Sequence, residues 1–518
     1  MVPGHRGASP HVTSTCDVAV IGAGFGGLSA ALTLADAGAD VVLFEALNYP
    51  GGCASTFRRG GASYESGATL FSGFGPGQLM RGWIDRWGLD VRFDAIDPPI
   101  ELRAPFGTLP VYRDRDALVD AVIALDPRHA DAVRSFFALQ RRTADALWSL
   151  FDDPALLPPL TLGALVRHAA RSPKYLPLLR LVGRPLGATL DRLGVERTSP
   201  LGVWLDAACQ ITVQTDAWSA EAPFALAALD YVHRGTGHIH GGIGQLAEAL
   251  VAQVEALGGT VRMPDRVRGL ARDGDHWIVR SRRGEVRARQ IVANVPPAGV
   301  AKLVEGDPPT RLAPLSRAVS TGWGASMQYL RLSADAPIRP EAHHLELVLD
   351  PMAPFVEGNH VFVSISGRDE TDRAPNGERT ATVSTHVPIR PDESSDDAAA
   401  RFDAVQARMQ ATLEARAPQV VAATVHAMTA SPRTFERFTR RPHGYVGGIP
   451  RRAGWQNYRG LWPRPVAPGL WLVGDSVFPG QSTLAVALGG QRVATTILRR
   501  AGQTTLAKPR PALTAAPA

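Results

Sequence analysis

Apolar runs of strand length alternate with helix-like segments at both ends of the chain. Residues 18–21 form a short apolar run, residues 28–37 are rich in Ala and Leu and predict a helix, and residues 41–44 predict a second strand. Gly38 is placed to end that helix. Near the other end, residues 470–473 form a similar run that leads into a glycine-rich helical segment. Strands that alternate with helices in this way predict an α/β fold with a parallel sheet.

Between these ends lie two long segments with different patterns. The first is largely helical, as the spacing of apolar positions across residues 129–151 indicates. The second carries strand-like stretches at residues 327–332, 360–365 and 380–386. The pattern therefore predicts an α/β domain that is interrupted by a helical insertion and a sheet-forming insertion.

The turn after the first predicted strand carries a glycine pattern. It reads Gly-Ala-Gly-Phe-Gly-Gly, which satisfies G-x-G-x-x-G, and Glu45 follows the second strand. In dinucleotide-binding folds the first glycine makes the tight turn, the second admits the pyrophosphate, and the third allows close helix–strand contact. Gly22, Gly24 and Gly27 occupy these positions, and Glu45 is placed to accept hydrogen bonds from the adenosine ribose. The sequence therefore predicts a dinucleotide site with the pyrophosphate at a helix N-terminus.

A second glycine doublet, Gly51-Gly52, lies only six residues beyond Glu45. A doublet here would let another backbone loop approach a cofactor that the first turn already holds. This arrangement predicts a long cofactor that crosses the domain, and FAD fits. The alternative is an ordinary loop that uses glycine for its positive φ angles.

A second strand-to-helix turn near the C-terminus contains an acid, Asp475, between Gly474 and Ser476. At the end of a buried strand, Asp475 is placed to accept a hydrogen bond from a ribityl hydroxyl. The helix that follows would direct its N-terminus at the flavin, where it stabilises negative charge. The two turns are therefore predicted to hold two ends of one FAD, which makes the cofactor domain discontinuous in sequence.

These residues carry a family resemblance. The chain resembles the phytoene-type carotenoid desaturases and the carotenoid isomerases, which belong with the amine-oxidase-like FAD enzymes. Four blocks, covering less than a third of the chain, carry the resemblance: residues 17–45, 51–74, 240–261 and 469–494.

The resemblance implies a Rossmann-type FAD-binding domain of the glutathione-reductase and amine-oxidase kind, with an inserted α+β substrate domain. It also implies that Val267 touches the adenine end of the cofactor, and it adds Ser55, Thr69 and Gly489 to the expected FAD-binding residues. Two positions depart from the family pattern. His240 stands where relatives usually carry Pro-Lys-like residues, and Cys53 stands where they often carry Arg.

The predicted domains follow from these blocks. The FAD domain is expected at residues 15–100, 234–306 and 465–503, the substrate domain at residues 101–233 and 307–464, and disordered tails at residues 1–14 and 504–518.

Composition is that of a large soluble enzyme, with 45% hydrophobic and 20% charged residues in 518. The three cysteines, Cys16, Cys53 and Cys209, are scattered, so neither a disulfide framework nor a metal site is predicted, and a cytoplasmic location is favoured. The N-terminus lacks the apolar core of a signal peptide. Residues 171–194 are basic and apolar and predict peripheral association with an anionic membrane, although a core-facing helix with a solvated basic side is an equal alternative.

The net charge of +6 comes almost wholly from arginine, since only Lys174, Lys302 and Lys508 are lysines. A basic stripe with interleaved aromatic residues is absent from the sequence, so nucleic acid is not a predicted partner. Pro173, Pro177 and Pro185 are expected to break any continuous helix in the basic segment.

The resemblance implies an FAD-dependent oxidoreductase that acts on a long apolar polyene or isoprenoid, as a desaturase or a cis–trans isomerase. A flavin amine oxidase is the first alternative, but such enzymes place a lysine beside the flavin, and neither Lys174 nor Lys302 lies where one is expected. A non-catalytic prenyl- or lipid-binding escort protein is a second alternative, which the intact cofactor motifs oppose. Catalytic residues are not assigned, and the candidate polar groups near the flavin are His240, Thr69, Ser72, His443 and Tyr445.

Overall fold

The computed structural model describes residues 12–67 and 69–502. The predicted tails lie outside these residues, except that residues 12–14 begin the first strand and are therefore not part of a tail. Ser14 is paired with Val286 of a neighbouring strand, and this pairing extends the predicted strand toward the N-terminus.

Two seven-stranded sheets and two short strand pairs make up the β structure of the described residues. The strands are β1 (Val12–Ile21), β2 (Val41–Phe44), β3 (Thr56–Arg59), β4 (Ala62–Glu65), β5 (Phe93–Asp94), β6 (Ile100–Ala104), β7 (Gly107–Val111), β8 (His238–Ile239), β9 (Thr260–Arg262), β10 (Val267–Asp273), β11 (His276–Ser281), β12 (Gly284–Ala293), β13 (Trp323–Leu332), β14 (His343–Val348), β15 (His360–Ile365), β16 (Arg379–Pro388), β17 (Thr424–Ala430) and β18 (Leu470–Leu472).

Helices cover both sheets. The α-helices are α1 (Phe25–Asp36), α2 (Leu79–Trp87), α3 (Arg115–Leu125), α4 (Ala130–Phe151), α5 (Leu162–Tyr175), α6 (Gly187–Leu193), α7 (Pro200–Thr212), α8 (Ala222–Ala228), α9 (Ile243–Ala256), α10 (Pro297–Leu303), α11 (Leu312–Val319), α12 (Ser395–Arg416), α13 (Pro418–Ala423), α14 (Pro432–Thr439) and α15 (Thr483–Arg500). Short 3₁₀ helices lie at Pro127–His129, Pro154–Leu156, Leu176–Arg180, Leu229–His233, Pro375–Gly377, Pro442–Gly444 and Trp455–Tyr458.

The first sheet has the order β10-β11-β12-β1-β2-β9, and β18 also pairs with β12. Strands β2, β1, β12 and β18 run parallel, so their carboxyl ends lie at one edge of the sheet. Helices α1, α9 and α15 pack on one face in an apolar core, and α10 and α11 pack on the other. The Rossmann-type prediction is confirmed, because the two sequence ends meet in the parallel part of one sheet that helices cover on both faces.

The second sheet has the order β17-β13-β16-β15-β14-β6-β7. One face of this sheet packs against α12 and α13. Part of the other face packs in a core with helices α4, α6, α7 and α8. The predicted strands of the second insertion appear as β13, β15 and β16, and the predicted helix of the first insertion appears as α4.

The basic segment at residues 171–194 is broken, but not at all three prolines. Pro177 lies in a 3₁₀ helix and Pro185 lies before α6, whereas Pro173 lies inside α5. Pro173 is tolerated because α5 ends two residues later at Tyr175, so the missing N–H removes a bond only from the last turn.

Candidate active site

A cavity of about 640 Å³ lies between the carboxyl edge of the first sheet and one face of the second. Its walls come from segments that are more than 400 residues apart in sequence. Because residues at the ends of β1, β2, β12 and β18 all contribute, the cavity spans both glycine-rich turns that the sequence singled out.

The first turn presents backbone rather than side chains to the cavity. Gly22 has a φ of +98°, and Gly24 precedes α1, whose start is capped by no described side chain. The first-turn N–H groups of α1 are therefore free to bind an anion. A Cβ at Gly24 would lie 2.5 Å from Nδ2 of Asn294, so the Asn294 side chain would have to move to admit one.

Glu45 lies at the end of β2 and lines the same cavity. Its Oε2 accepts a hydrogen bond from the N–H of Ala23 at 2.8 Å, and its Oε1 accepts one from Leu47 at 2.9 Å. Burial raises the pKa of Glu45, and these hydrogen bonds oppose that shift. Each carboxylate oxygen retains a lone pair, so Glu45 is still able to accept from ribose hydroxyls.

The Gly51-Gly52 doublet brings a second loop against the first turn. Both residues have positive φ angles, +106° and +65°, and the N–H of Gly51 donates to the carbonyl of Ala23 at 2.8 Å. Both glycines line the cavity. The two loops that were predicted to approach one cofactor therefore lie side by side.

Asp475 follows β18 at the other end of this edge. Its Oδ2 accepts a hydrogen bond from Nη2 of Arg441 at 2.7 Å, and the hydroxyl of Ser476 donates to its Oδ1 at 3.1 Å. Gly474, with a φ of +104°, and Asp475 both line the cavity, as does the start of α15. The acid is thus oriented by a buried cation that the sequence analysis did not identify.

Arg441 also explains the departure at Cys53. Its guanidinium lies beside the Cys53 thiol, whose pKa burial raises and the Arg441 charge lowers. Arg441 is 9% exposed and lines the cavity. A cation is therefore present next to position 53, although another segment of the chain supplies it, and no local pattern around Arg441 could have signalled this.

Asn294, at the end of β12, is a second residue that sequence reasoning missed. Its side chain lies against both glycine-rich turns, because a Cβ at Gly26 or Gly474 would lie 2.9 Å or 2.8 Å from its Oδ1. Its N–H donates to the carbonyl of Ile21 at 2.8 Å. Asn294 therefore packs between the two turns, and each turn carries glycine where it approaches this side chain.

Three predicted cofactor residues do not belong to the described lining of the cavity. Gly27 allows α1 to approach β1, since its Cβ would lie 2.0 Å from the carbonyl oxygen of Gly22. The Ser55 hydroxyl donates to the carbonyl of Gly52 at 2.8 Å and so supports the loop. Gly489 lies within α15, away from the lining, whereas Thr69 and Val267 do line the cavity.

The polar groups that were candidates for the flavin environment also divide into residues that line the cavity and residues that do not. Ser72 lines the cavity with Thr69, but His240, His443 and Tyr445 are not among the described lining residues. His240 lies 3.5 Å from a carboxylate oxygen of Asp369. The hydroxyl of Tyr445 donates to the carbonyl of Ser320 at 3.2 Å, which is a structural role.

The half of the cavity away from the first turn has mainly apolar walls. The second sheet contributes one wall, and α4, α7, α8 and the Leu229–His233 helix contribute the facing wall. Side chains of these two walls include Ala325, Met327, Phe362, Trp148, Phe151, Ile211, Phe224, Ala227, Ala228 and Tyr231.

One polar pair interrupts the sheet wall. Nε2 of Gln214 lies 3.1 Å from Nε2 of His386, and both residues line the cavity. Gln214 has a φ of +63°, and a Cβ at Gly447 would lie 2.1 Å from its Nε2. Burial lowers the pKa of His386 to about 4, so the ring is neutral at pH 7. Backbone strain of this kind occurs at functional sites, and no local sequence pattern predicted the strain at Gln214.

Neither Lys174 nor Lys302 lies on the apolar walls of the cavity. Lys302, on α10, lines the same end of the cavity as Val267, and Lys174 lies exposed on α5. Among the described residues, no three His, Cys, Asp or Glu side chains are grouped so that they could bind a metal ion. None of the described helices is both long enough and apolar enough to cross a bilayer.

The residues of the first half fit an FAD. Glycine-lined backbone loops, an uncapped helix start, an acid with free lone pairs at β2 and an acid held by a buried cation at β18 lie around one continuous cavity. These are the groups that the pyrophosphate, the ribose and the ribityl chain require.

Comparison with known proteins agrees with this geometry. Residues 25–498 match the family described as flavin containing amine oxidoreductase. The chain is 28% identical over 527 residues to hydroxyneurosporene desaturase of Cereibacter sphaeroides, with 93% of this chain and 97% of that protein covered. It is 25% identical over 507 residues to chloroplastic prolycopene isomerase of Arabidopsis thaliana, covering 92% and 82% respectively. An oxidoreductase from Methanosarcina mazei shares the fold, with a TM-score of 0.62, 18% identity, and 92% and 99% of the two chains covered.

Proposed function

The chain belongs to the flavin containing amine oxidoreductase family and its cofactor is FAD, and on that premise we propose that it desaturates or isomerises a long apolar polyene. The observation that carries the proposal is the chemistry of the cavity walls beyond the FAD residues. They consist of aromatic and aliphatic side chains from the second sheet and the facing helices. Burying apolar substrate surface there contributes about 25 cal/mol per Å², which is enough to hold a polyene with few polar contacts.

The charges of the cavity are consistent with an uncharged substrate. Three acids are among its described lining residues: Glu45, Asp265 and Asp475. Asp475 is paired with Arg441, and Asp265 accepts hydrogen bonds from the Ser281 hydroxyl and a backbone N–H. All three lie at the carboxyl edge of the first sheet, so none is placed on the apolar walls to bind an ammonium group.

Each residue group has a distinct task in the proposed enzyme. The two glycine turns, Glu45 and Asp475 would hold FAD, and FAD when bound supplies a two-electron redox centre. Arg441 orients Asp475. His386, neutral and held by Gln214, is the ionisable group on the sheet wall, where a proton is lost in a desaturation or relocated in an isomerisation.

The relatives favour a polyene over a small amine. The two named above are a desaturase and an isomerase of carotenoids by their names, and the chain covers most of each. They do not separate desaturation from isomerisation, because one relative of each kind matches at similar identity.

The direct test is incubation of the purified flavoprotein with long linear polyenes, aerobically and with reduced FAD, followed by chromatography of the products. We expect products with additional double bonds, or a changed cis–trans pattern at constant mass. His386→Leu should slow either reaction by about a hundredfold to ten-thousandfold, while flavin absorbance per protein stays unchanged. Turnover of His386→Leu at the wild-type rate would remove His386 from the mechanism.

The amine oxidase alternative predicts different results. If it held, small primary or secondary amines would reduce the flavin and polyenes would not. On the polyene proposal, Lys174→Met and Lys302→Met leave turnover nearly intact, since neither lysine lies on the apolar walls. Flavin reduction by amines, together with loss of activity in Lys302→Met, would establish the alternative.

A further inference from the structure

Glu346 lies in the second sheet with its carboxyl group unsatisfied. It is 1% exposed on β14, and neither of its carboxylate oxygens has a hydrogen-bond partner among the described residues. Its neighbours on this face, Leu102 and Phe362, belong to an apolar core. Buried polar groups are normally hydrogen-bonded, so an acid left without a partner indicates that something else completes the site.

The strand register places Glu346 next to the substrate half of the cavity. Met327, Ser384, Phe362 and Glu346 are paired in one row across β13, β16, β15 and β14, so their side chains project from the same face. The first three line the cavity. Glu346 is one strand beyond Phe362 and about 14 Å across the sheet from Met327.

Tyr231 lines the cavity from the opposite wall and brings a second polar group to this end. Burial raises the pKa of Tyr231, and the nearby Glu346 carboxyl raises it further. His344, two residues before Glu346 on β14, stacks on Phe362 with the ring centroids 6.3 Å apart, and both of its ring nitrogens lack described partners. Two buried polar side chains without described partners, Glu346 and His344, therefore lie next to Phe362.

We propose that Tyr231, which lines the cavity, and Glu346, which is buried one strand beyond the lining residue Phe362, form a polar site at this end of the substrate cavity, where they bind a terminal hydroxyl group of the polyene and so determine specificity. This inference rests on the proposed function, whose substrate class it narrows to polyene alcohols. The apolar walls hold the hydrocarbon chain, and the hydroxyl enters between Tyr231 and Phe362 to reach the carboxyl. Glu346 is a specificity residue, since it lies three strands from Met327 and takes no part in the redox step.

The protonation of Glu346 decides between an alcohol and an amine. Burial raises its pKa to about 8, so the group is mainly the neutral acid at pH 7. A neutral carboxyl donates one hydrogen bond and accepts another, which matches a hydroxyl group. An ammonium group would need the carboxylate form, which this apolar site disfavours.

The test compares two polyenes that differ only by a terminal hydroxyl, using the purified flavoprotein. We expect the wild type to prefer the alcohol in kcat/KM by about tenfold or more, because a buried polar site rejects a substrate that leaves it unpaired. Glu346→Leu should abolish this preference by lowering kcat/KM for the alcohol, while kcat/KM for the other polyene stays unchanged. Tyr231→Phe should reduce the preference. Glu346→Gln should retain most of it. Titration of the oxidised enzyme with each polyene, followed by the flavin difference spectrum, should rank the variants in the same order by their Kd for the alcohol.

The matched control is Asp206→Asn, a second buried acid whose carboxylate accepts a hydrogen bond from the N–H of Ala217 at 2.8 Å and which is outside the described cavity lining. It should leave the preference unchanged. Glu346→Leu removes an unpaired acid from an apolar core, so it should fold. Equal turnover of both polyenes by the wild type, or equal slowing of both in Glu346→Leu, would overturn the inference and leave the proposed function intact. Turnover of neither polyene, with oxidation of amines, would instead refute the proposed function.

Discussion

At the scale of single residues, the FAD half of the cavity depends on glycine positions, which carry no side chain. Gly24, Gly26 and Gly474 lie so close to the Asn294 side chain that a Cβ at any of them would come within 2.9 Å of its amide atoms. The cofactor site therefore depends on backbone approach, which glycine alone permits here.

Replacing Gly24 by valine tests this dependence. The new Cβ would lie 2.5 Å from Nδ2 of Asn294 and would also stand where the pyrophosphate needs backbone N–H groups. We expect Gly24→Val to lose most of its FAD, measured as flavin absorbance per protein after gel filtration. The control is Gly82→Val on α2, where a Cβ would meet nothing within 4 Å. Full occupancy in Gly24→Val would contradict the assignment of this turn.

Asp475 has two roles that one substitution removes together. Asp475→Ala deletes the predicted ribityl acceptor, worth about 1–3 kcal/mol of FAD binding. It also leaves the buried Arg441 charge without its carboxylate, which costs about 3–5 kcal/mol of folding stability. We expect weaker FAD binding by fluorescence titration and a lower urea midpoint. The double variant Asp475→Ala with Arg441→Met should recover stability but not FAD affinity.

Glu346 should make stability depend on pH. Its pKa is about 8 in the folded protein and near its ordinary value of 4.5 in the unfolded chain. The folded state therefore holds the proton more tightly, so this contribution to stability is present below pH 4.5 and is lost as the pH rises toward 8. The loss is about 1.4 kcal/mol per pH unit inside that window. We expect Glu346→Leu to flatten the fall of the urea midpoint between pH 5 and pH 8, and an unchanged slope would contradict the pKa assignment.

At the scale of elements, local patterns predict what local forces determine. The bounds of β2 and β15 agree with the sequence analysis, because each is a short apolar run between polar or turn residues. Helix α1 begins at Phe25, three residues before the predicted start, because glycines inside the turn also adopt helical geometry. Strand β1 begins at Val12, since pairing with β12 extends it beyond its apolar run.

The contact between the β3–β4 strand pair and the connection from β15 to β16 illustrates what sequence patterns do not show. Arg373, before β16, donates to Oε1 of Glu65 on β4 at 3.0 Å and to the carbonyl of Gly241, before α9, at 2.9 Å. Burial raises the pKa of Glu65, and the Arg373 charge lowers it. The partners are more than 100 residues apart, so only the folded chain reveals the pair.

Breaking that pair should be costly. Arg373→Met leaves the Glu65 carboxylate buried without its cation and should reduce the free energy of unfolding by about 3–5 kcal/mol. Replacing both partners, as Glu65→Gln with Arg373→Met, should recover part of the loss. Urea denaturation followed by circular dichroism measures each variant.

The exposed pair of Arg81 and Asp85 on α2 serves as the comparison. Their side chains are 50% and 57% exposed, so Arg81→Met should cost less than about 1 kcal/mol. Equal losses in Arg81→Met and Arg373→Met would show that the buried pair does not stabilise this contact.

At the scale of the whole molecule, the sequence predicted the location of the FAD site better than it predicted the residues that complete the cavity. The glycine motifs, Glu45 and Asp475 have local signatures, and the structure brings them around one cavity. Arg441, Gln214, His386 and Tyr231 have none, because each reaches the cavity only when distant segments pack together. Their assignment as cofactor or substrate residues therefore rests on geometry, and we keep both this assignment and the predicted domain boundaries as proposals.

The structure shows which side chains of the predicted membrane segment and its surroundings are exposed. Five large apolar side chains on α5 and the following 3₁₀ helix are 50–84% exposed: Leu162, Leu165, Val166, Leu176 and Leu179. Lys174, Arg180 and Arg184 lie exposed beside them. The apolar part begins upstream of the predicted residues 171–194, since α5 starts at Leu162. Apolar side chains next to basic ones suit the interface of an anionic bilayer, where a water-insoluble polyene would be dissolved.

Liposome sedimentation tests this surface with the intact flavoprotein. We expect reversible binding to anionic vesicles that weakens as salt increases, because each basic residue near the surface contributes about 1 kcal/mol. Arg180→Glu with Arg184→Glu should reduce binding at low salt, and Leu165→Ser with Val166→Ser should reduce it at every salt concentration. The matched control is Arg282→Glu with Arg283→Glu, the same charge change at exposed residues of the β11–β12 turn. Equal loss in the control would indicate a response to net charge alone, and absence of binding at any ionic strength would assign α5 to ordinary surface.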